Sequence, residues 1–195
     1  MYTVIGGNRN RTFRVLWMLE ELGIKYKFLP SLPHSKQVIS KNVSGKVPVL
    51  IDEETVITDS TAIITYLADK HGVHTYPSGT LKRAHQDSLT QTVLDEFESV
   101  LWTATKHTFI LPKEKRFPEI KSTLKWEFQK NEKTFMLRLG SGPFLTGKKF
   151  TVPDIIFTHC LDWAVSAKFE IKEQRLKDYA EQARQRPAYK VARAL

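Results

Sequence analysis

The chain has 195 residues, 41% of them hydrophobic and 11% aromatic, with 30 Lys/Arg against 21 Asp/Glu and a single cysteine. That composition excludes a disordered chain and allows one large domain or two small ones with a buried core. Cys160 alone excludes an intramolecular disulfide framework and fits a reducing cytoplasm. No apolar run nears the ~20 residues of a membrane span, and the N-terminus lacks the basic and apolar regions of a secretory signal.

In chain order, "YTVIG" is short and β-branched and predicts a buried strand. "RTFRVLWMLEELG" carries apolar residues at helical spacing and stops on Gly23, a ready C-cap. "KYKFLP" predicts a second strand ended by Pro30, and the polar stretch from Ser31 to Asn42 leaves room for a short helix. "KVPVLID" and "TVITD" flank the acidic turn Asp52-Glu53-Glu54 as a hairpin. "DSTAIITYLADKHG" is an amphipathic helix beginning after Asp59 and ending near Gly72. "TYPSGT", Thr75 to Thr80, is the linker, and beyond it no strand is predicted. Long helical segments cover about Leu81 to Phe109, Phe117 to Leu139, Val152 to Lys168 and Ile171 to Gln185, with Pro187 marking a turn. The expected division is an α/β domain over 1–76, a linker over 77–81 and an all-helical domain over 82–195.

The net charge of +9 is uneven: +2 up to Tyr76 and +7 beyond it. In the second half the cations alternate with acids, the pattern of solvated helix faces. No basic-aromatic motif accompanies them, so a nucleic-acid partner is not expected. The six histidines are scattered without ligand spacing, and no metal site is predicted.

Three stretches carry chemistry. In "GKVPVL", Pro48 stands where a strand begins. An edge proline is the ordinary reading; a cis Val47–Pro48 bond would turn the Val47 backbone toward an extended peptide ligand. In "TDSTAI", Asp59 and Ser60 suit a helix N-cap. The same pair also suits an α-amino-acid head, with helix N–H groups and the Ser60 hydroxyl for its carboxylate and Asp59 for its ammonium. In "FTVPDI", Thr151 and Asp154 form a capping box, with Phe150 placed to staple against Ile155. His159-Cys160, within an apolar helix, reads as a packed core pair.

Taken together, the β-α-β-α-β-β-α unit, "GKVPVL", "TDSTAIITYLAD" about ten residues later and "GKKFTVPDIIFTHCLDWA" in a helical second half resemble a cytosolic glutathione transferase, of bacterial type in "FRVLWMLEELG". The resemblance covers essentially the whole chain. It implies a thioredoxin-like first domain that binds glutathione and an all-α second domain that supplies the pocket for a small hydrophobic electrophile. By resemblance Val47, beside a cis Pro48, pairs with the cysteinyl unit. Asp59 and Ser60 hold the γ-glutamyl head, and Lys36 or Lys46 meets the glycyl carboxylate. Trp102 matches the region lining the electrophile pocket. A cytoplasmic homodimer with no cofactor beyond glutathione as co-substrate is implied.

The family activates the glutathione thiol with a Tyr ending the first strand, or with a Ser or Cys in the loop opening the first helix. Here those positions fall at about Arg9 to Arg11, and none is present. Some bacterial members use Thr or Asn in this loop, so Asn10, Arg11 and Thr12 become the candidates for stabilising a thiolate, with Arg9 read as a solvated loop residue. The alternatives are a glutathione-dependent peroxidase or disulfide-bond reductase, and a non-catalytic binding module of the same fold.

Overall fold

β1 (Tyr2–Gly6) runs parallel to β2 (Tyr26–Pro30), with Tyr2 opposite Tyr26. A parallel pair needs a long crossover, and α1 (Thr12–Leu22) supplies it, ending on Gly23 in the left-handed conformation. After the single turn of α2 (Lys36–Ile39), β3 (Val49–Asp52) and β4 (Thr55–Thr58) form a hairpin across Glu53-Glu54. β3 lies antiparallel to β1, so the sheet order is β2-β1-β3-β4. α3 (Ser60–His71) follows directly on its cap, Asp59. This is the mixed thioredoxin-like unit expected from the sequence.

The computed structural model describes residues 1–195 and divides them into two units, Met1–Ser78 with Arg184–Leu195, and Gly79–Ala183. In the first unit Ile5, Val38 and Val49 pack with Leu29, Val47 and Ile51. α1 is buried from Thr12 to Leu19, far more than one stripe of an amphipathic helix. The cause is a helix that the sequence reading did not contain, α9 (Pro187–Ala194), which packs on α1. Tyr189 stands edge-on to Phe13 and Trp17, with ring centroids 5.2 and 5.0 Å apart. Arg186 clamps the Glu21 carboxylate at 2.5 and 2.7 Å. Pro187, read as a turn, opens this helix at its first position, where a missing N–H costs nothing. The last twelve residues, Arg184–Leu195, therefore belong to the first unit and not to a helical domain running to 195.

The second unit is all-helical: α4 (Leu81–Val93), α5 (Ser99–Thr105), α6 (Ile120–Arg138), α7 (Val152–Ser166) and α8 (Gln174–Arg184). The segment expected as one helix from Leu81 to Phe109 contains two π-helical turns, Leu94–Glu98 and Lys106–Ile110. Phe97, in the first of these turns, is packed edge-on by Phe128, Phe135 and Phe157 at 5.0 to 5.4 Å. The capping box forms: Asp154 accepts from Thr151 N at 2.8 Å and Thr151 Oγ1 at 3.0 Å. The same carboxylate also accepts from Leu145 N at 2.9 Å and from the Tyr179 hydroxyl at 2.8 Å. Burial pushes the Asp154 carboxyl up to about 6 against the pull of those four bonds. Cys160 is fully buried, 4.0 Å from Glu98 Oε2, so its thiol is part of the packing. No helix is long and apolar enough to cross a membrane.

Candidate functional site

Strand register gathers the predicted residues of the first unit. Ile5 pairs with Val49 and Val49 pairs with Thr58. The end of β1, the start of β3 and the end of β4 therefore lie side by side at one end of the sheet. From that end project the loop Gly7–Arg11 leading into α1, the Val47–Pro48 dipeptide, and Asp59–Ser60 leading into α3. Residues more than fifty positions apart in sequence are thus brought to one end of the sheet by two strand pairings.

In the loop, Asn10 holds the start of α1. Its Oδ1 accepts from Thr12 N at 2.9 Å, and its carbonyl accepts from Phe13 N at 2.9 Å. With Oδ1 committed, the amide hydrogens of Asn10 are the uncommitted end of the side chain, and the amide nitrogen lies beside Gly7. Thr12 is fully buried, its hydroxyl without a hydrogen-bond partner in the chain. That hydroxyl is pressed on Gly6, whose φ of 149° suits glycine and whose Cα hydrogen occupies the place where any Cβ would overlap Thr12 Oγ1. Arg9 is exposed; Arg11 is half-buried and makes contacts of its own.

The Val47–Pro48 bond is cis. Pro48 is buried and Val47 half-buried, its side chain in the cluster around Ile5 and its backbone ahead of the ladder that starts at Val49. Asp59 takes a φ of 70°, and its Oδ1 caps α3 by accepting from Thr61 N at 2.8 Å and Ala62 N at 3.1 Å. The helix N–H groups expected to be open to a carboxylate are thereby reduced, because Asp59 itself occupies two of them. What remains is Ser60 N–H, the Ser60 hydroxyl and Asp59 Oδ2. Ser60 is 2% exposed, and its Oγ accepts from Nη1 of Arg14 at 3.2 Å.

Part of this end of the sheet, from Arg11 through Val47–Pro48 to Asp59–Ser60, lies within the stretch that a known family describes. Residues 11–77 match the family model "Glutathione S-transferase, N-terminal domain". Human glutathione S-transferase theta-2 is 31% identical over 72% of this chain and 60% of its own length. The chain belongs to the glutathione transferase family. It spans about 60% of the length of the theta-class relatives that it matches. Among solved transferases, the theta-class enzyme from Xanthomonas axonopodis pv. citri with glutathione bound superposes with a TM-score of 0.82 at 22% identity, covering 100% of this chain and 97% of that one. The ternary complex of BphK, a bacterial GST, superposes with a TM-score of 0.87 at 18% identity over 98% of both chains. At these identities the likeness speaks for the fold alone.

Of the remaining family-derived positions, Lys36 opens α2 and Lys46 precedes Val47, and both are exposed. The Lys46 carbonyl is held by Asn42 Nδ2 at 2.9 Å, which orders the backbone just before the cis bond. Trp102 lies on α5 of the helical unit, half-buried and edge-on to Trp163 at 6.4 Å, while Trp163 Nε1 donates to Thr105 Oγ1 at 3.2 Å. No group of three or more His, Cys, Asp or Glu gathers as metal ligands. Sequence reasoning missed Arg14. Its one signal is a cation inside the otherwise apolar run "TFRVLWML", a place where the desolvation cost demands a partner.

Proposed function

We propose that this chain is a glutathione-dependent transferase that conjugates small hydrophobic electrophiles, with its glutathione site at the end of the sheet where Asn10, Val47 and Asp59–Ser60 converge. The observation that carries the reading is the divided capping of α3. Asp59 spends one carboxylate oxygen on its own helix and keeps the other, next to the N–H and hydroxyl of Ser60. An acceptor and two donors side by side match the ammonium and carboxylate of a γ-glutamyl head. The Val47 backbone, ahead of the ladder that starts at Val49, takes the cysteinyl unit as an added strand. The sulfur then falls near the start of α1, where the amide hydrogens of Asn10 stabilise it as a thiolate.

In the reaction the thiol gives its proton to solvent. The thiolate sulfur forms a bond to the electrophilic carbon, and the leaving group departs with its electron pair. The helical unit supplies apolar surface for the electrophile, Trp102 included, and Lys36 or Lys46 neutralises the glycyl carboxylate. A cytoplasmic homodimer that removes reactive electrophiles in a bacterium is the setting of the same proposal; the single buried cysteine supports a reducing compartment.

Calorimetric titration of the chain with glutathione, paired with conjugation of an activated aryl halide, tests the reading. Binding is expected, and a glutathione analogue lacking the γ-glutamyl amino group should bind about tenfold more weakly or worse, since Asp59 Oδ2 loses its partner. Failure to bind glutathione, or equal affinity for the two ligands, refutes the site. Binding without conjugation assigns the chain to the non-catalytic module.

A further inference from the structure

We propose that Arg14, buried on the first turn of α1, is a positioning residue for the anion site: it fixes Ser60 Oγ as an acceptor and so turns the hydroxyl proton out toward a ligand carboxylate. The inference rests on the γ-glutamyl reading above and adds a residue to it.

Arg14 is 0% exposed, and its Nη1 lies 3.2 Å from Ser60 Oγ. A guanidinium has five donors and no acceptor, and it stays charged at every accessible pH. In this contact Ser60 Oγ can therefore only accept. Its own proton goes to no acceptor within the chain, leaving it for a ligand. This matters because Ser60 has little help: Thr61 and Ala62 N–H are taken by Asp59 Oδ1, and Ile63 N–H by the Asp59 carbonyl at 2.9 Å. From the first turn of α3, Ser60 alone offers donors to an anion, and a hydroxyl free to rotate would offer its proton only part of the time.

The test is a set of variants, Arg14→Met, Arg14→Lys, Ser60→Ala and the Arg14→Met/Ser60→Ala double, titrated with two ligands. One ligand is glutathione; the other is γ-aminobutyryl-cysteinylglycine, which lacks only the γ-glutamyl carboxylate. Arg14→Met should weaken glutathione about tenfold in the Ser60 background and less than about twofold in the Ser60→Ala background, and it should leave the decarboxylated ligand within about twofold. Arg14→Lys, a cation without the planar fork, should lose about threefold on glutathione alone. Equal losses in both backgrounds, or on both ligands, make Arg14 structural only and overturn the proposal. If Arg14→Met does not fold, Arg14→Lys decides: a loss confined to glutathione supports the proposal, and no loss or an equal loss on both ligands overturns it. If Ser60→Ala leaves glutathione affinity unchanged, or the native chain does not prefer glutathione to the decarboxylated ligand, the γ-glutamyl reading itself fails and takes this proposal with it.

Discussion

Replacing Asn10 by aspartate separates the helix-start hydrogen bond that the side chain makes from the thiolate contact that the proposed function assigns to it. Asn10→Asp keeps an oxygen to accept Thr12 N–H, now 2.9 Å from Asn10 Oδ1, but exchanges the donor amide for a second carboxylate oxygen. Asn10→Ala removes both. A hydrogen bond to a charged group contributes about 1.5–3 kcal/mol, which corresponds to about 1–2 units in the pKa of the bound thiol. Starting from about 8.5 for a free thiol, the native complex should titrate near 7, so about half the sulfur is ionised at neutral pH. In Asn10→Ala the value returns toward about 8.5 and the ionised fraction at neutral pH falls to a few per cent. In Asn10→Asp it rises beyond the free value, because a carboxylate faces a thiolate. Stability should follow the opposite pattern. Asn10→Ala loses about 1 kcal/mol with the cap, and Asn10→Asp loses nothing, since an acid at a helix start is favourable. The assay is the ultraviolet absorbance of the thiolate in the glutathione complex as a function of pH, alongside the pH profile of kcat/KM. Thr12→Val is the control: its hydroxyl is buried against Gly6, so the thiol pKa should not move. A native pKa in Asn10→Asp, or a raised one in Thr12→Val, refutes the assignment.

Two further outcomes concern the scaffold. The Asp154 carboxyl titrates at about 6 in the folded chain against 3.8 in its ordinary state. Its contribution to stability is therefore complete below the lower value and is lost as pH rises through about 6, by about 3 kcal/mol. Asp154→Asn should flatten that part of the urea-unfolding midpoint against pH, and an unchanged slope would sink the argument. Tyr189→Ala removes a ring packed on both Phe13 and Trp17. It should cost about 3 kcal/mol and about 6–12 °C in Tm, and it should open α9 to limited proteolysis. Cleavage elsewhere, with α9 protected, would show that Arg186–Glu21 holds the helix without the ring.

What could be read from the sequence was whatever is punctuated locally. Gly23, Pro30, Gly72 and the Glu53-Glu54 turn mark element ends through their own backbone preferences, so the β-α-β-α-β-β-α order was legible without any contact being known. α9 was not, because eight residues with only Tyr189 and Ala192 buried make no helix alone; its helicity comes from α1. The π-helical turns were invisible for a related reason, since a π turn uses the same residues as an α turn and differs only in which carbonyl is reached. At the site, Val47–Pro48 and Asp59–Ser60 are neighbours in the chain and could be seen as pairs. The Arg14–Ser60 bond spans 46 positions and could not. The burial of the Thr12 hydroxyl depends on where the Gly6 backbone passes and was equally hidden. Both helix starts nevertheless follow one rule. Each caps itself with a side-chain oxygen from just before it, Asn10 on Thr12 N–H and Asp59 on Thr61 and Ala62 N–H. Self-capping withdraws backbone donors from a ligand, so the chemistry left to the site is that of the uncommitted atoms: the Asn10 amide hydrogens, the Ser60 donors and Asp59 Oδ2. On the proposed function, selectivity for one peptide thiol over anions in general would follow from that subtraction: a bare helix N-terminus accepts any anion, whereas these atoms would call for an ammonium, a carboxylate and a sulfur at set places.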